Sequence, residues 1–316
     1  MAIRIIEYSS PLQLEWDKFI SNSKNGVFLF YRDYMEYHTD RFIDFSLLFY
    51  DENRLIGVLP ANRRGEKIIS HGGLTFGGIV TDSRMRTAKM LEIFEALKLY
   101  LPSQGVCNLI YKAIPYIYSD MPAEEDLYAL HYIGAKLYRR DVSSSIDMRY
   151  NLLGFSKGRK WLISRAKKLN LLVKQAKDFK AFMAIEENNL MMRHNVKPVH
   201  TANEIELLAG RFPENIKLFA SYKDDIMMGG VIIYESRHVA HAQYIAATEE
   251  GKEMGATDII MNYLINEYYT EKRYFDFGIS TENEGRYLNV GLIENKESYG
   301  ARAVIYDFYE WVLAAH

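Results

Sequence analysis

Hydrophobic and polar positions follow two periods along the chain, and the changes between them predict a series of strands and helices. In the first 150 residues, runs rich in β-branched and aromatic residues, such as IRIIEY and GVCNLIYKAI, alternate with segments of helical spacing. The segment 84–101 places most of its apolar residues on one face of a helix. Two strand-like runs separated by Asp51, Glu52 and Asn53 predict a β-hairpin, because turn-forming residues interrupt the strand pattern.

The same alternation continues after residue 150. A basic helical segment at 157–169 precedes an extended run, a helix at 178–194 and a shorter helix that begins at Thr201. Glu204 stands three residues after Thr201, which is the spacing of a capping box. Three strand-like runs, a helix near 256–269 and two further strands complete the series.

The order of elements predicts the domain organisation. Both halves show helix, helix, three antiparallel strands, helix, strand and strand. We therefore expect two related α/β (α+β) domains, 1–150 and 151–316, each with a mixed, mostly antiparallel sheet flanked by helices.

Composition supports two cores and restricts the partners. Of the 316 residues, 48% are hydrophobic and 14% are aromatic, so each predicted domain has enough apolar side chains for a core. The formal net charge of −2 gives no overall attraction to nucleic acid or to an anionic membrane, so we expect no DNA partner. No apolar run reaches the length of a signal peptide or a membrane span, which predicts a cytoplasmic location.

Several common catalytic patterns are absent from the sequence. It contains no Walker loop, GxGxxG fingerprint, GxSxG elbow or CxxC pair, so the corresponding chemistries have no sequence support. His238 and His241 are three residues apart in a predicted strand and should point to opposite faces. Because metal ligands on one face of a strand need even spacing, we expect no metal cofactor.

The segment 151–177 carries eight cations and no acid, although charges elsewhere in the chain are balanced. The cations are Lys157, Arg159, Lys160, Arg165, Lys167, Lys168, Lys174 and Lys177. Such a run predicts a surface that binds phosphate, diphosphate or a nucleic-acid backbone. A solvated helix face is the alternative. In either case Trp161, Leu162 and Ala166 interrupt the cations at helical spacing, so one face of this helix should pack against the protein.

The stretch ATEEGKEMGATDIIMNYLI predicts the end of a strand, a short polar loop and a helix that begins near Ala256. Unpaired backbone amides and the helix dipole favour an anion at such a helix N-terminus, for example a pyrophosphate. The spacing Lys252-x-x-Gly255-Ala256-Thr257 is similar to the pyrophosphate loop of the GNAT superfamily, where Arg or Gln precedes two residues, Gly, any residue, and Gly or Ala. Lys252 and Thr257 depart from that pattern.

The segment YFDFG, residues 274–278, predicts a strand with two different faces. Alternation places Phe275 and Phe277 on the core face and Asp276 on the face that looks towards a cleft. Partial burial would raise the pKa of Asp276 and make it a proton acceptor near neutral pH. Alternatively, backbone amides of the loop 278–281 keep the carboxylate ionised, and Asp276 then organises this loop.

Four segments together resemble the Fem-like branch of the GNAT acyltransferase superfamily. They are KGRKWLISRAKK, HVAHAQYIAATEEGKEMGATDIIMNYLI, YFDFGISTENEGRYLNVGLIENKESYGAR and, in the first half, LTFGGIV. The third is the most specific, with aromatic-Asp-Phe-Gly, a polar loop, Leu-Asn-x-Gly-Leu and Lys-x-x-aromatic-Gly-Ala. The resemblance implies two tandem GNAT-like domains with splayed central strands, and transfer of an acyl or aminoacyl group to an amine.

The resemblance also implies which residues form the site. In the expected assignment, Asp276 and Lys296 are catalytic, Lys252, Gly255, Ala256 and Thr257 hold the donor, and Lys157, Arg159, Arg165 and Tyr244 contact the substrate. The expected donor is an acyl-CoA, first of all acetyl-CoA, with aminoacyl-tRNA as the alternative. Some tRNA-dependent members carry a long helical arm, and the sequence contains no insertion of that kind, which favours acyl-CoA.

Three functions are compatible with these features. The first is an N-acyltransferase that acts on an amine of a cell-envelope or glycan precursor. The second is an aminoacyl-tRNA-dependent peptidyltransferase of the peptidoglycan-bridge type. The third is a non-catalytic module that binds phosphate or glycan, since a fold by itself does not guarantee chemistry.

Overall fold

The computed structural model describes residues 3–150 and 153–313, and their contacts define two compact units. Unit 1 comprises the described residues up to 142 together with 281–287 and 305–313, and unit 2 comprises 143–280 and 288–304. Two C-terminal segments thus pack with the first unit. The domain division at 150/151 stays a prediction, and residue 151 lies outside the described residues.

The described residues alternate strands and helices, as the periodicity predicts. The strands are β1 Arg4–Glu7, β2 Ile43–Asp44, β3 Leu47–Asp51, β4 Arg54–Leu59, β5 Asn62–Arg64, β6 Lys67–Ile69, β7 Val80–Thr81, β8 Asn108–Lys112, β9 Lys136–Asp147, β10 Leu172–Ala176, β11 Ile216–Lys223, β12 Ile226–Glu235, β13 Val239–Ala247, β14 Tyr274–Ile279, β15 Thr281–Glu282, β16 Tyr287–Leu288 and β17 Arg302–Val312. The helices are α1 Gln13–Asn22, α2 Arg32–Met35, α3 Thr87–Ser103, α4 Glu125–Tyr132, α5 Lys157–Lys168, α6 Phe179–His194, α7 Ala202–Arg211, α8 Glu249–Met254, α9 Ala256–Tyr263 and α10 Val290–Glu297. The predicted α/β class is confirmed.

Unit 1 contains two strand ladders that share a core with helix α3. One has the order β1-β3-β4-β7, and its β3–β4 pair is the hairpin predicted at residues 51–53. The second joins β2, β5, β6 and β8, and residues 308–312 of β17 pair with β8. The buried face of α3 includes Ile93, Phe94 and Leu97, all without solvent exposure.

Unit 2 is built on an antiparallel meander of β10, β11, β12 and β13. Strand β14 joins β13 in parallel and pairs on its other side with residues 143–147 of β9. Helix α7 begins with the capping box predicted at Thr201 and Glu204, which confirms that signal. Helices α5 and α9 pack together, and Ile260, Phe275 and Phe277 belong to one core cluster.

The pairing between β13 and β14 is short, and this property creates the candidate site. Their ladder consists of Val239↔Tyr274, Ala240↔Phe275 and His241↔Asp276. Beyond this point β13 continues to Ala247 and β14 to Ile279, but the two strands separate. In the described part of the chain, no helix is long and apolar enough to cross a membrane.

Candidate active site

A cleft of about 470 Å³ opens in unit 2 where β13 and β14 separate. It is lined by residues of α5, α6, α9 and α10, by the last residues of β13, and by Phe277 of β14. The polar lining residues are Arg159, Glu186, Asn189, Lys252, Thr257, Asp258, Asn295, Lys296 and Tyr299. A cleft of this volume with several converging polar groups is typical of a ligand site.

Lys296 lies in the wall of this cleft, near the C-terminal end of α10. Its ammonium donates hydrogen bonds to the carbonyl oxygens of Gly278 and Ile279, at 2.8 Å and 2.7 Å. Burial lowers the pKa of Lys296 to about 8, although the charge of Asp276 acts in the opposite direction. The side chain is therefore a buried cation at neutral pH. The carbonyl groups of Gly278 and Ile279 hold it in place.

Asp276 is fully buried and is surrounded by hydrogen-bond donors. Its carboxylate accepts from the hydroxyls of Ser143, at 2.7 Å, and Ser145, and it lies 2.6 Å from Nδ1 of His241. The backbone N–H of Gly278 is a longer donor at 3.3 Å. Burial would raise the pKa of Asp276, but the hydrogen bond and charge of His241 and the serine hydroxyls outweigh it, so this pKa is lowered.

The alternation predicted for β14 is confirmed, and Phe275 and Phe277 belong to a core cluster as expected. Phe277 lines the cleft, whereas Asp276 is not among the lining residues and points to the other face of the sheet. The cleft is lined from both faces of the sheet, by α5 and α9 on the face of Phe277 and by α6 on the other face. Helix α6 packs on that other face because its Phe182 lies against Gly230, whereas the neighbouring Val231 shares a core with Phe277. Asp276 is ionised, which agrees with the second alternative given by the sequence. Side chains of Ser143, Ser145 and His241, rather than loop amides, supply most of its donors.

The predicted donor loop is a helix for half of its length. Thr248 caps α8, and the backbone N–H groups of Lys252 and Gly255 donate to carbonyl oxygens of this helix. Gly255 has φ +80° and a Cβ atom there would stand 2.7 Å from the Leu162 carbonyl oxygen, so only glycine fits between α8 and α9. Ala256 is buried at the start of α9. The predicted polar loop is thus mostly helix α8, whereas α9 begins at Ala256 as expected, and donor binding by Lys252, Gly255, Ala256 and Thr257 stays a prediction.

Two side chains of this segment nevertheless reach the cleft. Lys252 donates to Oδ1 of Asn189 at 3.0 Å and also pairs with Glu249, which is mostly exposed. Thr257, in the first turn of α9, is the other lining residue. They provide a cation and a hydroxyl to the lining of the cleft.

The basic segment contributes one cation, Arg159, to the cleft. Arg159 donates to Asp258 at 2.8 Å and to Ser298 at 2.7 Å, and its guanidinium lies over the Tyr299 ring. Lys157 is exposed on α5 and is not a lining residue. Arg165 is also exposed, and it stacks over Trp161.

Tyr244 lies apart from the cleft. Its hydroxyl is 2.7 Å from Nδ1 of His200, and the side chain is buried. Of the ten predicted site residues, the structure brings together Arg159, Lys252, Thr257 and Lys296 around the cleft.

Comparison with known proteins agrees with this geometry. Residues 155–287 match the family model described as an acetyltransferase (GNAT) domain. Most of unit 2 is thus similar to a GNAT domain. No curated protein sequence matches the chain.

Solved structures extend the likeness to the whole chain. FemX aligns with a TM-score of 0.69 at 10% identity, over 98% of this chain and 97% of that one. The C-terminal domain of a putative lysylphosphatidylglycerol synthetase from Agrobacterium fabrum aligns with a TM-score of 0.58 at 10% identity, over 96% and 92%. A tandem GNAT protein from the clavulanic acid biosynthesis pathway gives 0.51 at 10% identity, over 99% of both chains. The chain thus shares its fold with FemX and with a tandem GNAT protein.

Unit 2 contains two functional candidates that sequence patterns did not indicate. Glu186 projects from α6 into the cleft and makes no hydrogen bond to any residue that the structure describes. Its helical spacing to Asn189 and Leu190 was visible, but its position depends on how α6 docks on the sheet. The spacing of His241 in the sequence relates only to metal binding. Strand register, which no local pattern contains, places Asp276 opposite His241. Within the described residues no cluster of three metal-binding side chains occurs.

Replacing Glu186 by glutamine should change how stability depends on pH. Burial raises the pKa of Glu186 from 4.5 to about 7 in the folded protein. Between pH 4.5 and pH 7 the carboxyl group is therefore mainly ionised in the unfolded chain and mainly protonated in the folded one. Rising pH therefore lowers the free energy of unfolding of the wild type, by about 1–2 kcal/mol after allowance for partial solvation. Urea unfolding at pH 5 and pH 8 should show that E186Q lacks this loss. The exposed neighbour variant E187Q is the control, and an equal E186Q effect at both pH values would contradict the prediction.

Proposed function

We propose that the protein is an N-acyltransferase that moves an acyl group from an activated ester or thioester to an amine. The observation that carries this proposal is the cleft at the point where β13 and β14 separate, with the buried ammonium of Lys296 in its wall. Separated strands leave two facing edges between which an extended donor chain can lie. A group bound there would reach the last paired residues of both strands.

The chemistry requires charge stabilisation at the acyl carbon. Attack by the amine forms a C–N bond and places negative charge on the acyl oxygen, and a preorganised cation in a partly dry site stabilises this charge. Lys296 is suited to this role because the carbonyl oxygens of Gly278 and Ile279 fix its ammonium. Lys252 lies at the same cleft and is suited to a phosphate of the donor.

The donor is proposed to be an acyl-CoA, first of all acetyl-CoA, as the resemblance implies. One observation favours aminoacyl-tRNA as the second candidate. Backbone N–H groups that a pyrophosphate loop would offer to CoA donate instead to carbonyl groups within helix α8. In addition, the carboxyl group of Glu186, which has no hydrogen-bond partner among the described residues, faces the cleft. An aminoacyl group carries an ammonium that such a carboxylate would bind, whereas acetyl-CoA does not.

The acceptor is proposed to be an amine of a cell-envelope or glycan precursor. This part rests on the Fem-like fold shared with FemX and with a protein named a putative lysylphosphatidylglycerol synthetase. Contact of Lys157, Arg165 and Tyr244 with the acceptor stays a prediction, as does a cytoplasmic location.

A donor and acceptor matrix tests the proposal. The purified protein is incubated with acetyl-CoA or with a mixture of aminoacyl-tRNAs, and with glucosamine or a UDP-linked muramyl pentapeptide as probe amines. Mass spectrometry should find a new amide on at least one acceptor, and the effective donor should raise the Tm of the protein. Absence of both amide and Tm shift with every donor would favour the non-catalytic binding module.

A further inference from the structure

We infer that His241 is the proton acceptor of the transfer and that Asp276 is its positioning residue. This inference rests on the proposed function and names the residue that removes the proton from the attacking amine. It assigns to Asp276 a different role from direct proton transfer. The observations that carry it are the contacts of the pair, its place at the end of a strand ladder, and the partial exposure of the imidazole.

The contacts of the pair fix the orientation of the imidazole. Nδ1 of His241 is 2.6 Å from Oδ2 of Asp276, and Oδ1 of the same carboxylate accepts from the hydroxyls of Ser143 and Ser145. The carboxylate is fully buried, and the His241 side chain is 14% exposed. An ionised carboxylate at this position requires the proton on Nδ1, which leaves the lone pair of Nε2 available.

Nε2 makes no hydrogen bond within the described residues, and the imidazole is partly exposed. The neighbouring residue on β14 is Gly278, where a Cβ atom would stand 3.3 Å from Cε1 and 3.9 Å from Nε2 of His241. Gly278 also has φ +77°, a conformation that favours glycine. A side chain at residue 278 would therefore crowd the imidazole, which glycine avoids.

The pair lies next to the place where the acyl group would react. His241↔Asp276 is the last pair of the β13–β14 ladder, and Phe277, the next residue of β14, already lines the cleft. One residue along a strand corresponds to about 3.3 Å. The carbonyl group of Gly278 accepts from Lys296, so this residue contacts the cation on one side and approaches the imidazole on the other.

The proton balance of the step assigns one role to each group. The neutral amine attacks the acyl carbon, a C–N bond forms, and the proton of the attacking nitrogen passes to Nε2 of His241. The bond from the acyl carbon to the thioester sulfur or ester oxygen then breaks, and the imidazolium returns the proton to this leaving group. Asp276 stays ionised throughout and stabilises the imidazolium, because serine and histidine donors hold its negative charge.

Kinetics with three variants test the inference in the full-length protein. H241Q should lower kcat at least 100-fold while the Tm shift caused by the donor stays unchanged, and H131Q, an exposed histidine on α4, is the matched control. Imidazole added to H241A should restore part of kcat, which a structural role would not explain. D276N should lower kcat about tenfold or more and add little to H241Q in the double variant. An H241Q variant that retains most of wild-type kcat would overturn the inference.

A second measurement does not depend on turnover and so separates this inference from the proposed function. ¹⁵N NMR of the imidazole should show a proton on Nδ1 and an unprotonated Nε2 in the wild type, and an altered tautomer population in D276N. Protonation of Nε2 in the neutral wild-type ring would overturn the inference even if the protein transfers acyl groups. The expected tautomer in a protein without any transfer would contradict the proposed function and leave the pair as a structural fact, which also rejects the catalytic role.

Discussion

Replacement of Lys296 by methionine is expected to lower kcat/KM for acyl transfer by about 10²–10³, the usual effect of removing one group that stabilises an oxyanion. Methionine keeps the length of the side chain but supplies no charge and no hydrogen-bond donor. The effect should fall mainly on kcat, because the ammonium acts on charge that develops in the transition state. The measurement is the initial rate with the donor and probe amine that the wild type uses.

The same substitution removes the donor for two buried carbonyl groups, so folding must be measured alongside activity. Loss of the hydrogen bonds to Gly278 and Ile279 is expected to cost about 1–3 kcal/mol of unfolding free energy. K296R, which keeps a cation, separates charge from fold, and K160M changes an exposed lysine of α5 as the matched control. Equal kcat/KM in K296M and the wild type would remove Lys296 from the mechanism.

The pKa of Lys296 also predicts how kcat depends on pH. Since burial lowers this pKa to about 8, the stabilising cation is lost as pH rises through that value. Wild-type kcat should therefore fall on the alkaline side of pH 8, and K296M should lack this fall.

Replacement of Asp258 by alanine is expected to be the most destabilising change in the site, at about 3–5 kcal/mol of unfolding free energy. The Asp258 side chain is 4% exposed and accepts from Arg159 at 2.8 Å and from the Tyr299 hydroxyl at 2.9 Å. Its removal leaves a buried guanidinium and a buried hydroxyl without their acceptor. Urea unfolding at pH 7 measures the loss directly.

An exposed ion pair and a double variant provide the controls. E206A breaks the pair between Lys180 and Glu206, whose side chains are 62% and 38% exposed, and should cost less than about 1 kcal/mol. R159M combined with D258A removes the uncompensated charge, so it should recover part of the stability lost in D258A. A D258A variant as stable as E206A would show that the buried pair contributes no more than a surface pair.

Local signals in the sequence were sufficient for most of the secondary structure. The capping box at Thr201 and Glu204, the hairpin around Glu52 and the basic helix α5 depend on residues within a few positions of one another, and all three are confirmed. Helix α8 was predicted as a loop although the signal was present. Thr248 is a good N-cap and two glutamates follow it, which is typical of a helix N-terminus.

The arrangement of the site depends on contacts that no local pattern contains. Ser143 and Ser145 are more than 130 positions from Asp276 and reach it through the register of β9 with β14. His241 reaches it through the parallel register of β13 with β14. Alternation predicted that Asp276 and Phe277 point in opposite directions, but the packing of α6 and α9 on opposite faces determines which residues line the cleft.

The most direct test is to determine where the donor binds. The full-length protein is crystallised with a hydrolysis-resistant acetyl-CoA analogue and, separately, with an RNA microhelix that carries an amide-linked amino acid. For the donor that supports transfer, we expect density for the acyl group between β13 and β14, with the acyl oxygen within hydrogen-bond distance of the Lys296 ammonium. Density for that donor elsewhere on the protein, with the cleft beside Phe277 empty, would contradict the proposal that this cleft is the acyl-transfer site.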